Sequence, residues 1–536
     1  RDLHSFPTRR SSDLLLPMAT SKTNEKELMN VAWNYAVEEP TTLTCRPTDG
    51  DKDLALRICN CLYDLELEQQ SAVTSKIEEI GFNAVDFSGC NLAPVDCAAL
   101  VHFLKNAGTI LLTLERNEIS WLGCMEVQKW VDQSDSSKCV FKLRSLNLSR
   151  NEIGCKGAQQ LGDALKHQHC TLTKLQRSYN RIDEKGAKTI CDALKENGCK
   201  LTTLDLKGNN VGEKGAKYLA IALKNKHCKL TELHLYGNDI RNNGAALLSD
   251  ALRDENCRLT LLDIGDCKIG NKGLFSLRDA LEDVNCKLTV LRLPSNKAKI
   301  TGATYISHAL EDVNCKLTEL EFAGNDIGDN GVGHLSRALK VANCKLTVLG
   351  LCGNSIGLDG AQHLCDALKD GNCKLTVLDL GRNNVGEYGA AYLADTLKNV
   401  SCGLIKLDLA FNNVGERGAA HLADALQSVE CKLTELNLKA NGIGDKGAEH
   451  LTDALKERNC KLTVLILERN NLKDQGAAHI SEALKNVNCK LIELNLSANC
   501  IGDEGAEKLL EAFKNENRTL TEYNVEGNNI REEQLA

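Results

Sequence analysis

A cysteine that recurs every 29 residues is the first feature of this chain whose residue type suggests chemistry. Such a column could form disulfides, hold zinc or supply nucleophiles. Equivalent residues in stacked units have parallel side-chain vectors, so their Cβ atoms stay farther apart than the ~3.8 Å that a disulfide prefers. Zinc prefers pairs such as Cys-x-x-Cys, and Cys59-Asn60-Cys61 is the nearest approach to one. We therefore predict small, buried, reduced and mostly unreactive packing residues. The column comprises Cys170, Cys199, Cys228, Cys257, Cys286, Cys315, Cys344, Cys373, Cys402, Cys431, Cys460 and Cys489.

Histidines form a second column, three residues past a repeated glycine, at His334, His363, His421, His450 and His479. A histidine ladder suggests a metal. However, helices of neighbouring units lie ~8–10 Å apart, which is too far for one ion held at ~2.0–2.1 Å from each ligand. We predict solvated or half-buried helix positions, with no metal and no cofactor.

Catalytic residue types are abundant, but each serine, histidine and acid belongs to a repeating column. No single nucleophile is therefore paired with a base of its own. We expect a protein that is not an enzyme.

A fixed step of 29 residues organises the chain from Leu143 onward, and a period of this length is typical of solenoids. An asparagine column, interrupted once by Cys267, runs from Asn151 to Asn528 through fourteen units. Two looser units precede it, centred on Cys90 and Asn117.

Each unit contains one predicted strand and one predicted helix. In one copy Leu317, Leu320 and Phe322 are spaced as the inward face of a short strand. Leu335 and Ala338 then follow helical spacing. Neither element buries its apolar face alone, so the units must stack side by side. The asparagine ends the strand, where its amide can bond to neighbouring backbone groups.

These motifs resemble the ribonuclease-inhibitor class of leucine-rich repeats, which also forms the C-terminal arrays of NOD-like receptors. The resemblance covers roughly residues 82–530. It implies an α/β horseshoe of about 16 repeats, with a parallel sheet on the concave side and helices on the convex side. All phased units share one length and none contains tryptophan, which departs from the inhibitor's alternating, aromatic-rich pattern. The nucleotide-binding loop of NOD-like receptors, Gly-x-x-x-x-Gly-Lys-Ser/Thr, does not occur.

Four segments are expected from the pattern. Residues 1–17 match nothing downstream and resemble adapter-derived, non-native sequence. Residues 18–81 form a lead-in with a capping helix at 53–70, residues 82–142 hold two irregular repeats, and residues 143–536 hold the regular array with a truncated last repeat. The longest apolar runs are too short for a membrane helix or a signal peptide, so we expect a cytoplasmic protein.

Two columns that flank the central leucine of each strand face the predicted concave surface, and they carry ten acids against three bases. The whole chain has a net charge of −8. This stripe either provides solubility or steers a basic partner. Aromatic and arginine side chains suited to anchoring a partner are few.

We therefore expect a non-catalytic protein-binding scaffold, either an inhibitor or an innate-immune sensor. Its partner is predicted to be a protein with a basic surface, rather than nucleic acid, a membrane or a metal. The alternative is a regulator of a small GTPase, because Ran-type GTPase activators use a related horseshoe. The predicted partner-binding residues are Asp205, Glu232, His234, Tyr236, Glu319, Glu321, Asp379, Arg382, Asp408, Phe411, Glu435, Glu468 and Arg469.

Overall fold

A computed structural model describes residues 42–44, 84–93, 96, 110–132, 142–514 and 519–531. Residues 1–17 and the predicted capping helix at 53–70 lie outside this range. The described residues fall into two compact units, one ending at Asp205 and the other beginning at Leu206. The 29-residue step continues across that division.

The first unit contains six strands and three helices among its described residues. The strands are parallel and pair in sequence order. Their bounds are β1 Thr42–Thr44, β2 Ala84–Asp86, β3 Leu111–Thr113, β4 Ser145–Asn147, β5 Lys174–Gln176 and β6 Thr203–Asp205. The helices are α1 Trp121–Asp132, α2 Gly154–Lys166 and α3 Glu184–Leu194.

The second unit alternates eleven strands with eleven helices in its described part, and its strands also pair in parallel with their sequence neighbours. The strands are β7 Glu232–His234, β8 Leu261–Asp263, β9 Val290–Arg292, β10 Glu319–Glu321, β11 Val348–Gly350, β12 Val377–Asp379, β13 Lys406–Asp408, β14 Glu435–Asn437, β15 Val464–Ile466, β16 Glu493–Asn495 and β17 Glu522–Asn524. The helices are α4 Gly212–Leu223, α5 Arg241–Leu252, α6 Asn271–Leu281, α7 Lys299–Glu311, α8 Gly328–Leu339, α9 Leu358–Leu368, α10 Gly386–Leu397, α11 Gly415–Leu426, α12 Gly444–Leu455, α13 Asp474–Leu484 and α14 Asp503–Phe513.

The core lies between the strand layer and the helix layer of each repeat. In the repeat that contains β10, Leu317, Leu320, Phe322, Leu335 and Ala338 are all fully buried. The predicted leucine-rich-repeat solenoid is therefore confirmed, because the apolar strand positions and the helix stripe meet as the spacing requires. No helix among the described residues is both long and apolar enough to cross a membrane.

The asparagine column links each repeat to the next. The Asn325 side chain donates to the carbonyl groups of Leu293 and Phe322 at 2.9 and 3.0 Å, and its oxygen accepts from the backbone N–H groups of Asn296 and Ala298 at 3.0 and 3.2 Å. The predicted backbone role of this column is therefore confirmed. Where Cys267 replaces the asparagine, its thiol donates to the equivalent carbonyl, that of Leu235, at 3.1 Å.

The repeated glycine at the start of each helix permits a close approach between helices. A Cβ on Gly331 would lie 2.7 Å from the Ile327 Cβ and 3.3 Å from the Ala303 Cβ of the preceding helix. Contacts shorter than about 3.4 Å are repulsive, so a side chain at this position would push neighbouring repeats apart.

Candidate partner-binding site on the sheet

One row of side chains crosses the exposed face of the sheet in the second unit. It consists of the residues that follow the central leucine of each strand, held in register by the parallel pairing. From β7 to β13 the row comprises His234, Asp263, Arg292, Glu321, Gly350, Asp379 and Asp408. Basic and acidic side chains alternate over its first four members, and the alternation ends at Gly350.

The alternating segment consists of His234, Asp263 and Arg292, together with Lys207 and Glu319 beside them. Asp263 is only 3% exposed, and its carboxylate lies 3.0 Å from Lys207 Nζ and 3.6 Å from His234 Nδ1. Burial raises the pKa of Asp263, but His234, Lys207 and the backbone N–H of Gly265 together outweigh burial and leave this pKa below its usual value. Arg292 pairs with Glu319 at 2.7 Å. The acids of this segment are therefore neutralised within the protein.

The acidic cluster consists of Glu321, Asp379 and Asp408. Burial raises the pKa of Glu321, and the charges of Asp379 and Glu319 raise it further. Burial also raises the pKa of Asp379, and so does the charge of Asp408, which lies directly opposite on the next strand. The nearest bases are already engaged, because Arg292 pairs with Glu319 and Lys406 pairs with Glu435 at 2.8 Å. The charge of Arg292 lowers the pKa of Glu321 in part, and that of Lys406 lowers the pKa of Asp379, but burial and the neighbouring acids outweigh them. Among the described residues the cluster thus holds negative charge that no ion pair compensates.

Two glycines and a cysteine shape the acidic cluster, and the sequence analysis missed all three. A Cβ on Gly350 would lie 1.9 Å from Glu321 Oε2, so the Glu321 carboxylate extends over the space that this glycine leaves. A Cβ on Gly381 would lie 3.1 Å from Asp379 Oδ1, 3.4 Å from Asp408 Oδ1 and 3.5 Å from Cys352 Sγ. Gly350 stands where most repeats have a polar residue, and comparison of the repeats could have revealed this signal.

The aspartates of the row also have a structural role. Asp379 accepts from the backbone N–H of Gly381 at 2.7 Å, and Asp408 accepts from that of Ala410 at 2.8 Å. Asn437 makes the same bond to Lys439 at 3.0 Å, so an uncharged amide closes this turn equally well. The turn therefore requires a short side chain that accepts a hydrogen bond, which aspartate and asparagine both provide. It does not explain why the side chain is negatively charged.

The other predicted acids are largely balanced or half-buried. Glu435 pairs with Lys406, and Glu468 pairs with Lys439 at 2.8 Å, with Arg469 lying 3.6 Å away. Asp205 and Glu232 are half-buried at a strand end and a strand start.

Large side chains occupy a left-handed backbone position next to the acidic cluster. Arg382 and Phe411 have φ values of 53° and 56°, at a position that Gly324 and Gly353 hold in the two preceding repeats. A bulky residue in this region costs on the order of 1 kcal/mol. The Arg382 guanidinium lies 4.6 Å from the centre of the Phe411 ring. Arg469, also predicted, shares the left-handed conformation with φ of 57°.

Tyr236, the remaining predicted anchor, belongs to the alternating segment's side of the sheet. A Cβ on Gly265 would lie 2.6 Å from Tyr236 Cδ2 and 2.6 Å from Pro294 Cγ, so the tyrosine ring and the proline enclose this glycine. One side of the half-buried tyrosine ring therefore packs within the protein at Gly265.

The cysteine and histidine columns lie away from this site. Eleven of the twelve column cysteines are buried and Cys373 is half-buried. Burial raises the pKa of Cys315 to about 11, which disfavours the reactive thiolate. The column histidines are exposed or half-buried on the helices. Among the described residues no group of three histidine, cysteine or acidic side chains is arranged to hold a metal ion.

The repeat architecture matches a known family. A family model described as Leucine Rich repeat matches residues 141–162, 199–220, 226–249, 255–277, 313–336, 371–394, 430–451, 458–481 and 487–510. The chain is a leucine-rich-repeat protein.

Solved structures of similar fold include a TLR13–ssRNA13 complex and an internalin from Listeria monocytogenes. The TLR13 chain is 17% identical with a TM-score of 0.43, and the match covers 84% of this chain and 58% of that chain. The internalin is 16% identical with a TM-score of 0.37, and the match covers 82% of this chain and 94% of that chain. Identities this low concern the fold alone. No curated protein matches the sequence.

Proposed function

We propose that this protein is a non-catalytic scaffold that binds a basic protein surface on the exposed face of its sheet. The observation that carries the proposal is the acidic cluster of Glu321, Asp379 and Asp408. Two of its carboxylates have raised pKa values, and the nearest bases are engaged with other acids. A lysine or arginine from a partner would supply the missing positive charge.

Arg382 and Phe411 support the same location for the partner. Both are held in a left-handed conformation that glycine adopts without strain, and neither side chain is fully buried. Arginine and aromatic residues dominate the binding energy of many interfaces. Retaining strained, bulky residues beside uncompensated acids is understandable if a partner contacts both.

A cytoplasmic, reducing location agrees with the column of cysteines, which are buried with the exception of the half-buried Cys373. In this proposal the protein binds and does not react. Inhibition of the partner and sensing of the partner would both start from the same contact.

The test uses a charge-removing variant that keeps every turn intact. Glu321→Gln, Asp379→Asn and Asp408→Asn together remove three charges, while asparagine retains the acceptor for the backbone N–H, as Asn437 already does. The matched control combines Asp395→Asn, Asp424→Asn and Asp453→Asn, which removes the same number of charges from the helix layer, away from the sheet.

Wild type, variant and control are immobilised and exposed to native lysate under reducing conditions, and each captured protein is then purified and titrated. We expect a basic partner whose affinity falls about tenfold or more in the triple variant, since each partly exposed charge contributes ~0.5 kcal/mol. The control should stay within about twofold of wild type. Equal binding by wild type and the triple variant at low salt would refute the proposed site.

A further inference from the structure

The helix layer carries a regular ladder of acids and bases. One helical column is acidic in ten of the thirteen helices from α2 to α14, at Asp163, Asp192, Asp250, Asp279, Asp366, Asp395, Asp424, Asp453, Glu482 and Glu511. Many of these acids pair with a base one turn later, as in Lys166–Asp163 at 2.9 Å and Lys456–Asp453 at 3.0 Å. Others pair with the preceding helix, as in Lys224–Asp250 at 2.7 Å.

On two consecutive helices this column carries a basic residue where most other helices carry an acid. The same column holds His308 on α7 and Arg337 on α8. Glu311 stands 26 residues before Arg337, the spacing at which Lys224 pairs with Asp250. Arg337 forms no such ion pair among the described residues, and it instead contacts Nδ1 of His334 on its own helix.

An open depression of about 510 Å³ is lined by Arg337 together with Ile300, Asn330, Gly333, His334 and His363. No carboxylate lines it. The nearby Asp329 carboxylate is already engaged, because its oxygen accepts from the backbone N–H groups of Gly357 and Gly360 at 2.7 and 3.0 Å.

A second depression on the same layer offers an internal comparison. It also measures about 510 Å³, but its lining includes two carboxylates, Asp250 and Asp279, and a single arginine, Arg253. Arg253 pairs with Asp250 at 2.6 Å, so its charge is compensated. The first depression is therefore cationic and the second is balanced.

The geometry around Gly333 brings the histidines to the arginine. A Cβ on Gly333 would lie 3.2 Å from Cδ2 of His363, so the His363 ring packs over a position that a larger residue would fill. Burial lowers the pKa of His334, and the charges of Arg337 and His308 lower it further. The neutral ring can accept from Arg337 at Nδ1, which leaves the Nε2–H as a donor.

We propose that this depression on α7, α8 and α9 binds a phosphate monoester. Arg337 supplies a fixed positive charge, and His334, His363 and Asn330 supply further donors. A phosphate monoester carries about −1.5 to −2 charge at neutral pH and three strong acceptor oxygens, which suit a planar guanidinium flanked by imidazoles. The apolar Ile300, 44% exposed, borders the site and can contact the group that carries the phosphate. That group is either a phosphorylated side chain of a partner protein or a small phosphorylated molecule.

The first experiment titrates the whole protein with inorganic phosphate, and with sodium chloride at equal ionic strength, while histidine ring protons are followed by NMR. The signals are assigned with the His334→Asn and His363→Asn variants. We expect saturable shifts of His334 and His363 with a dissociation constant on the order of 1 mM. Shifts that chloride reproduces at equal ionic strength would overturn the proposal.

The variants separate this site from nonspecific charge. Arg337→Gln should weaken phosphate binding at least tenfold, whereas Arg253→Gln, in the balanced depression, should leave it unchanged. Glu311→Gln should maintain or tighten binding, because it removes the one acid placed to compete for Arg337. Equal phosphate affinity of wild type and Arg337→Gln would overturn the proposal even if the histidines respond.

A second titration compares a phosphoserine peptide, its unphosphorylated form and inorganic phosphate. Tighter binding of the phosphopeptide than of inorganic phosphate, lost in Arg337→Gln, identifies a phosphorylated partner as the source. A phosphopeptide that binds no tighter than inorganic phosphate identifies a small phosphorylated molecule. Equal binding of both peptide forms would contradict recognition of phosphate.

Discussion

The alternating segment and the acidic cluster lie in one row of one sheet, yet they treat negative charge in opposite ways. Asp263 is enclosed by Lys207 and His234, and its pKa is lowered. Asp379 lies directly opposite Asp408 of the adjacent strand, and the pKa of Asp379 is raised. An aspartate in this column thus stabilises the fold at position 263 and destabilises it at position 379. In the proposed function, the acidic cluster is where the partner binds.

The largest expected effect is on stability in the alternating segment. Asp263→Asn keeps the acceptor for the turn but leaves Lys207 without its buried counter-charge. We expect a loss of about 2 kcal/mol, below the usual cost of breaking a buried pair because Lys207 is partly exposed. Urea denaturation followed by circular dichroism measures it. A variant as stable as wild type would show that the segment is not stabilised by its charge pairing.

The same substitution in the acidic cluster should have the opposite sign. Asp379→Asn retains the bond to Gly381 and removes repulsion from Asp408, so we expect a gain of roughly 0.5 kcal/mol at neutral pH. The matched measurement is the urea midpoint alongside Asp263→Asn. Destabilisation of both variants would end the distinction between the two regions.

Acidification should separate the two regions further. The folded-state pKa values of Glu321 and Asp379 are raised, so the folded state binds protons first, and their destabilising effect fades as the pH falls through those values. The advantage of Asp379→Asn over wild type should therefore shrink on acidification. The pKa of Asp263 is lowered, so its contribution persists to lower pH and is lost only below about pH 4. Melting temperatures across this pH range test both signs, and an advantage independent of pH would contradict them.

The smallest expected effect concerns the strained anchor beside the acidic cluster. Phe411→Gly relieves about 1 kcal/mol of left-handed strain and loses a contact with Arg382 of about 0.5–1 kcal/mol, so stability should change by less than ~1 kcal/mol. Partner binding should nevertheless weaken. The control is Ala498→Gly, which has the same backbone conformation and leaves the anchor in place. Unchanged binding by Phe411→Gly would exclude this ring from the interface.

The repeating positions were predictable because each has one physical cause in every copy. Leu320 and Leu335 follow strand and helix periods, and burial of both is the only way to stack the units. Asn325 was predicted to bond to backbone groups and does so. The cysteines were predicted to be buried from their position alone, and all but Cys373 of that column are buried.

The pairing of charges was not predictable in the same way. The sequence placed Glu319 and Glu321 together as equivalent candidates, but Arg292 reaches Glu319 and leaves Glu321 uncompensated. Gly350 and Gly381 were overlooked because a missing side chain carries no chemistry until its neighbours are known. Likewise, the sequence places Arg337 in a mostly acidic column, but only its contact with His334 and the lack of a carboxylate in the lining of its depression set it apart from Arg253, which pairs with Asp250.

The sequence by itself determined the architecture, since a fixed 29-residue period of leucine, asparagine and small residues permits only a stack of strand and helix units. It also determined which columns face outward. Only the tertiary structure decided which outward charges compensate one another, because that depends on side-chain reach across strands, to within a few ångströms. The repeat period fixes the backbone position of each residue. The energy of an ion pair depends on the distance between charged side-chain atoms, which the period does not specify.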